Sequence, residues 1–533
     1  MRFCIRMMFK LQTTASLSLR THCNVNFMMN NLINKVLILA SIVLALPFSG
    51  CVVYHQKTLV PDQPSAAMDY FCTWNVQGYV SSFASTPQQR NAMTEQNLFG
   101  NGRYENWTGM YEKIRGDLYF VLDDAWDIPL SGDQNYYGSL ILDAGRFPST
   151  RRMMPQKRLK WLSDSIKKRG WRGLGLWISA QEAPRYQITD TVSYWSERLA
   201  WMDKADIGYW KVDWGKHDAD ANWRMRLTRL GKQLAPGLHI EHALSPAAVA
   251  FAEVYRTYDV ENIIAIPHTI DRIAALLTNP VGSRRTAVLN CEDEPYIAVG
   301  TGSAIGIMRH EFNGNLPDGV QDFVFPPQGR DLKSRLDEVV RAVRWHRIAA
   351  PFAIDQTQNV VDTVKLRDFW VMGEKETWVN RAVGSVNEKS APAIIARGLE
   401  KPEVTLANGD ILQPYILASK YPNGAVAVAS IGRTIKRSYL TPRANVLVKM
   451  DRHDQPIGIF GRYNQLTFQF SSPKQIKTVL AQDLAGDEVV NITGTVRMQD
   501  DQLIIPGKVI DEIGLMSATK GDLSEPGMVL VIK

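Results

Sequence analysis

The chain has 533 residues, 45% of them apolar, enough to bury a large core and to fill two or more domains. Its formal charge of +7 belongs mostly to the first fifty residues, which carry five Lys/Arg and no acid; the remainder holds 56 basic against 54 acidic residues, or +2. No basic block with interleaved aromatics follows, which excludes a nucleic-acid surface, and the two cysteines beyond residue 51 exclude a disulfide scaffold and offer no metal-ligand spacing.

Residues 1–50 read as a leader. Lys35 precedes the apolar run Val36 to Leu46, too short to span a bilayer comfortably, and Pro47-Phe48-Ser49-Gly50-Cys51 closes it with small residues. Ser-Gly-Cys resembles a bacterial lipobox, although Phe48 stands where Leu is usual. The expectation is export to the cell envelope with lipid on Cys51, as a periplasmic or outer-membrane lipoprotein; an unmodified Cys51 in the membrane fraction, by mass spectrometry, would sink it. Residues 51–67 then read as a polar, Pro-containing tether.

From Met68 a strand-then-helix rhythm begins. Strands are expected at Asp69 to Asn75, Leu118 to Leu122, Gly173 to Ile178, Ile207 to Val212, Gly237 to Glu241, Val254 to Asp259, Thr286 to Asn290 and Pro351 to Asp355. Between them lie helical patterns: Leu159, Leu162 and Ile166 before a Gly170 stop; Val192, Trp195, Leu199 and Met202 after an Asp190 cap; Ile270, Ile273 and Leu277; and Leu336, Val340 and Val343. Eight strands alternating with helices predict a (β/α)₈ barrel over 68–362 with right-handed crossovers. Residues 301–330, rich in Gly, Asn and Pro, read as an insertion on its mouth. After 362 short β-rich runs take over, with Asn423-Gly424 as a hairpin cue, and residues 363–533 read as a linker and an antiparallel β-sandwich.

Chemistry collects where strands end. Asp123 and Asp124 close the second strand, Lys211 and Asp213 the fourth, Glu241 the fifth, Arg256 and Asp259 the sixth. Lys211 and Asp213 are two apart, so the period-2 strand puts both on one face. A Lys beside an Asp favours the ionised form that a nucleophile needs. Trp74, Trp126, Trp177, Trp210 and Trp214 accompany these charges. Carboxylates accept from hydroxyl pairs and rings pack on the C–H face of a pyranose, so the set suits a sugar. Two carboxylates on facing strands can hydrolyse a glycoside. His217 and His242 lie nearby without a paired motif, which argues against zinc hydrolysis.

Leu122-Asp-Asp-Ala-Trp126, Gly138…Arg146-Phe147-Pro148, Gly173-Leu-Gly-Leu-Trp177, Trp210-Lys-Val-Asp213 and Arg256…Asp259 stand in the order found in clan D α-glycosidases. The stretch from Met68 to Asp355 most resembles glycoside hydrolase family 27, the α-galactosidase and α-N-acetylgalactosaminidase family, with family 36 close behind. A sandwich after the barrel is also that family's arrangement.

The resemblance implies an exo-acting, retaining α-galactosidase on oligosaccharide or polysaccharide substrates, needing no metal or cofactor. Asp213 would be its nucleophile and Asp259 its acid/base. Trp74 would floor the sugar site, Trp177 would wall it, and Asp123, Asp124, Lys211 and Arg256 would contact sugar hydroxyls. Glu241 and Leu244 match a Glu-x-x-Leu that favours a 2-hydroxyl, hence galactose over N-acetylgalactosamine. The chain departs from the pattern in three places. Arg256 and Asp259 are one residue closer than usual, which leaves Glu261 as another acid. Asn290-Cys-Glu-Asp-Glu-Pro295 leaves open which of Glu292, Asp293 and Glu294 enters the site, with Asp293 assigned there. Trp214-Gly215 replaces a usual Cys after the nucleophile. The alternatives are an α-N-acetylgalactosaminidase, a β-L-arabinopyranosidase or a non-catalytic glycan-binding lipoprotein.

Overall fold

The computed structural model describes residues 58–257, 263–278, 284–320, 330–374, 382–407, 409–471 and 476–533. The leader, Cys51, Asp259 and Glu261 lie outside the described residues.

Eight parallel strands close on themselves in chain order: β1 (Tyr70–Cys72), β2 (Tyr119–Leu122), β3 (Gly173–Ile178), β4 (Ile207–Val212), β5 (His239–His242), β6 (Val254–Arg256), β7 (Val288–Glu292) and β8 (Ala304–Ile307). Around and between them lie α1 (Trp74–Val80), α2 (Thr86–Asn91), α3 (Pro155–Lys168), α4 (Thr191–Ala205), α5 (Ala221–Leu234), α6 (Ala265–Thr278), α7 (Pro295–Thr301) and α8 (Leu336–Ile348). The expected (β/α)₈ barrel is therefore present. Asp190 caps α4 as the sequence indicates, its side chain accepting from the Ser193 amide at 3.0 Å. Of the apolar residues read onto that helix, Trp195, Leu199 and Met202 are buried, while Val192 is exposed.

Two expectations about chain layout are corrected. The eighth strand is Ala304–Ile307, not 351–355, so the supposed insertion at 301–330 begins with the strand that closes the barrel. Closure needs a strand that reaches both β7 and β1, and β8 does so, with Ala304 opposite Asn290 and Gly306 opposite Tyr70. Gly306 is required there: a Cβ would meet the Tyr70 hydroxyl oxygen at 2.6 Å. Residues 351–355 contribute only one bridge, Val288 to Ala353, before a 3₁₀ turn at Ile354–Gln356. The second correction concerns the tether, whose residues from 58 onward are docked. The Leu59 amide donates to Gln482 Oε1 at 2.6 Å, the Ser65 amide to Asp117 Oδ1 at 2.7 Å, and Val60 and Ala67 are buried.

Beyond the barrel, an eight-stranded and a five-stranded sheet face each other across an apolar core that includes Ile416, Val428, Val446, Leu466 and Phe468. Their pairings are mainly antiparallel, with parallel pairs such as Asn445–Met450 on Gln465–Phe470. Asn423-Gly424 makes the expected hairpin between Tyr415–Lys420 and Val426–Ile431, with Gly424 at φ 90°. The first strand of the larger sheet, Asn359–Val361, lies just inside the boundary expected at 362. A four-stranded sheet, including Lys365–Val371 and Val386–Pro392, completes the architecture among the described residues.

Candidate active site

Strand parity decides which side chains reach the barrel interior. On β4, Tyr209, Lys211 and Asp213 share the inner side; Trp210 and Val212 point out into the apolar core. The same alternation brings Cys72, Asp123, Trp177, Arg256 and Glu292 inward from β1, β2, β3, β6 and β7. At the C-terminal ends of the strands they surround a cavity that opens to solvent. Trp74, Asp123, Asp124, Trp177, Lys211, Asp213 and Arg256, all indicated by the sequence, line it together with Trp214, Glu292 and Met308. Trp74 stands on the first residue of α1 rather than on a strand.

Asp213 is 6% exposed and its two oxygens are treated differently. Oδ2 accepts from Trp177 Nε1 at 2.9 Å. Oδ1 lies 3.1 Å from Arg256 Nη2 but has no hydrogen-bond partner among the described residues. Behind the Asp, the main chain is pinned. The Trp214 carbonyl accepts from the Ala180 amide at 2.8 Å, and Gly215 (φ 151°) has no room for a Cβ, which would come within 2.8 Å of Ala180 backbone atoms.

Two cations organise the carboxylates. Arg256 reaches Asp213, Glu241 (Nε to Oε1, 3.0 Å) and Glu292 (Nη1 to Oε1, 3.0 Å). Lys211 Nζ contacts Asp123 Oδ2 at 2.9 Å and lies 3.8 Å from Glu292. Burial works against both cations, but the adjacent carboxylates hold them well above their ordinary pKa values. Burial also works to raise Asp123, yet Lys211 and the Cys72 thiol, which donates to Oδ2 at 2.8 Å, bring it below the usual carboxylate range. Asp124 behaves oppositely. Burial pushes it up to about 6, against the opposing pull of Arg90 (Nε to Oδ2, 2.8 Å) and the Tyr137 hydroxyl (to Oδ1, 2.6 Å).

Three residues assigned to the pocket by the sequence lie elsewhere. Glu241 is fully buried beneath the floor, where it accepts from Tyr209 Oη at 2.8 Å and ion-pairs with Arg256; burial raises it to about 7. Leu244, at φ 66°, is not among the lining residues. Asp293 turns away: its Oδ1 accepts from the Met308 and Arg309 amides at 3.0 and 3.1 Å and pairs with Arg309 Nε at 3.2 Å. Glu292 enters the cavity instead, being two residues on from the inward-facing Asn290 and therefore on the same side of β7.

Arg90 and Tyr137 escaped the sequence reading altogether. They come from α2 and from the loop after β2, which follow no barrel periodicity. Arg146, in the Arg-Phe-Pro run, explains their placement: its guanidinium donates to the Ile128, Arg90 and Met93 carbonyls and ties those loops together. The two histidines are structural. His242 is held neutral by burial and by Arg224, between Arg224 and Thr228, and His217 stacks on Trp223 at 5.0 Å. Among the described residues no group of three His, Cys, Asp or Glu side chains is arranged to hold a metal, and Cys72 and Cys291 are both free and buried.

No family model matches the chain, and no curated protein matches it in sequence. Solved structures similar to it include the α-galactosidase of Saccharomyces cerevisiae with raffinose (10% identity, TM-score 0.38, covering 88% of this chain and 98% of that one). Another is a GH27 β-L-arabinopyranosidase of Geobacillus stearothermophilus (10%, 0.39, covering 88% and 96%). A third is α-galactosidase I of Mortierella vinacea (10%, 0.37, covering 88% and 96%).

Proposed function

We propose that a terminal sugar seats in the barrel mouth and that Asp213 attacks its anomeric carbon, making the chain an exo-acting, retaining α-glycosidase with α-galactosides as its substrate class. One observation carries the reading. At the end of β4, Asp213 lines a cavity walled by carboxylates and indoles, with Oδ2 tethered by Trp177 and Oδ1 beside Arg256 without a hydrogen bond among the described residues.

In the first step a carboxylate oxygen of Asp213 forms a bond to the anomeric carbon as the glycosidic C–O bond breaks. The proton for the departing oxygen is assigned to Asp259, three residues beyond the Arg256 that reaches Asp213. In the second step Asp259, now a carboxylate, takes a proton from water. The resulting hydroxide attacks the same carbon, and Asp213 is released. Arg256 sits beside the ester throughout and stabilises the charge that reappears on Asp213 when the ester breaks. Asp123 and Asp124, adjacent and anionic, are suited to accept hydrogen bonds from neighbouring hydroxyls on one edge of a pyranose, with Lys211 and Glu292 donating and accepting beside them. The motif order that resembles family 27 supports galactose as the sugar. The Glu241 and Leu244 argument for a 2-hydroxyl does not, since neither lines the cavity.

The test is covalent trapping with a galactose-configured mechanism-based inhibitor, followed by peptide mapping. The expected adduct is on Asp213, and Asp213→Ala should lower kcat at least about a thousandfold while circular dichroism stays unchanged. An adduct on a different acid, or near-normal turnover by the variant, would overturn the assignment. A panel of nitrophenyl glycosides, run with and without chelator, identifies the sugar and reads any need for metal.

A further inference from the structure

We propose that Trp214 is the platform for the ring attached to the bound sugar, so that this site selects glycosides whose leaving group presents an apolar face, a second pyranose above all. The inference rests on the glycosidase reading and names the substrate class more closely.

The exposure of the lining residues separates a floor from a rim. Asp123, Asp124, Trp177, Lys211, Asp213, Arg256, Glu292 and Met308 are all buried, whereas Trp74 and Trp214 are partly exposed. The two indoles stand at the ends of β1 and β4, on well-separated parts of an eight-stranded cylinder. The charged floor takes the reacting sugar. Whatever is joined to that sugar has to project past the rim, where the available surface is aromatic.

Trp214 is also fixed before any ligand arrives. Its ring lies 5.3 Å from that of Trp177 and 5.1 Å from that of Tyr137, and its carbonyl is held by the Ala180 amide and the Ser179 hydroxyl. Gly215 lets the chain pass against Ala180 where no other residue would fit. Both neighbouring rings are committed to acids of the floor, Trp177 to Asp213 and Tyr137 to Asp124. A rigid, partly exposed indole loses little entropy on stacking, and stacking on the C–H face of a sugar ring is the contact such a surface makes best.

The test compares an α-galactosyl fluoride, which has no second ring, with a trisaccharide ending in α-galactose. For Trp214→Ala the ratio of kcat/KM on the trisaccharide to that on the fluoride should fall about tenfold, and Trp214→Phe should restore much of it. An unchanged ratio, with both substrates losing equally or neither losing, makes Trp214 a mere prop for Trp177 and overturns the proposal. Binding to Asp213→Asn protein is followed in parallel by intrinsic tryptophan fluorescence. Tighter binding of the trisaccharide than of galactose, abolished by adding Trp214→Ala, supports the platform; equal affinities overturn it. A wild-type protein that binds the trisaccharide in this way yet cleaves no glycoside defeats the hydrolase reading and leaves the platform standing.

Discussion

Asp124 illustrates how single contacts set a working range. Buried, it is pushed up to about 6, and Arg90 and Tyr137 keep it from rising further. In the proposed role of hydroxyl acceptor it works as the carboxylate, so sugar binding should weaken as pH falls through about 6, where it gains a proton. Replacing Arg90 by Met removes a cation that lowers this value, so the acidic limb of kcat/KM should move to higher pH while the alkaline limb stays. A limb that stays put in the Arg90→Met pH profile would show that another group governs it. The aspartates of this pair were legible as residues, because two acids closing an apolar strand stand out. Their opposite behaviour was not: Asp123 is settled by Lys211 and Cys72, and Asp124 by partners on α2 and on a loop.

At the level of the element, the end of β7 separates two adjacent acids, Glu292 being its last residue and Asp293 the first of the turn. Glu292 lines the cavity and meets Arg256, while Asp293, at φ 55°, anchors the end of β8 through Arg309 and two amides. Glu292→Gln should therefore raise KM several-fold or more with little change in melting temperature. Asp293→Asn should do the reverse, costing about 1–3 kcal/mol because Arg309 keeps its burial and loses a charged partner. Paired thermal melts and Michaelis curves check both, and a matched effect from the two variants would contradict the division. The sequence left these acids open because the frame depends on where β7 stops. It likewise misjudged β8, whose four residues follow a seven-residue helix ended by Gly302 at φ 61°, a rhythm too short to register as strand and helix.

Across the whole molecule, the sandwich completes the barrel rather than trailing from it. The last carbonyls of α7 have no partners within their own helix. Tyr421 Oη serves Val299, Ser419 Oγ serves Gly300 and Arg397 Nη1 serves Thr301, at 2.7, 2.8 and 2.6 Å, all from sandwich strands or their turns. Gly300 lets the helix approach so closely that a Cβ would lie 2.7 Å from that of Leu417. Next to it, Arg341 on α8 forms a fully buried two-pronged pair with Asp483, at 2.9 and 3.2 Å. Asp483→Ala strands that guanidinium and should cost about 3–5 kcal/mol. Because α7 and α8 bracket β8, barrel and sandwich should melt together. Two separate calorimetric transitions, or a variant as stable as the parent, would show the layers to be independent.

The sequence by itself determined the class of fold, the order of seven barrel strands, the sandwich, and most of the residues in the mouth, since periodicity and strand-end position are local properties that survive without partners. Tertiary structure alone decided which acid of β7 turns inward, that Glu241 lies under the floor, that residues from 58 onward pack down, and that Arg90 and Tyr137 reach Asp124. Those outcomes depend on closure of the cylinder and on loops meeting across it. Contacts between residues tens to hundreds of positions apart leave no spacing to read along the chain.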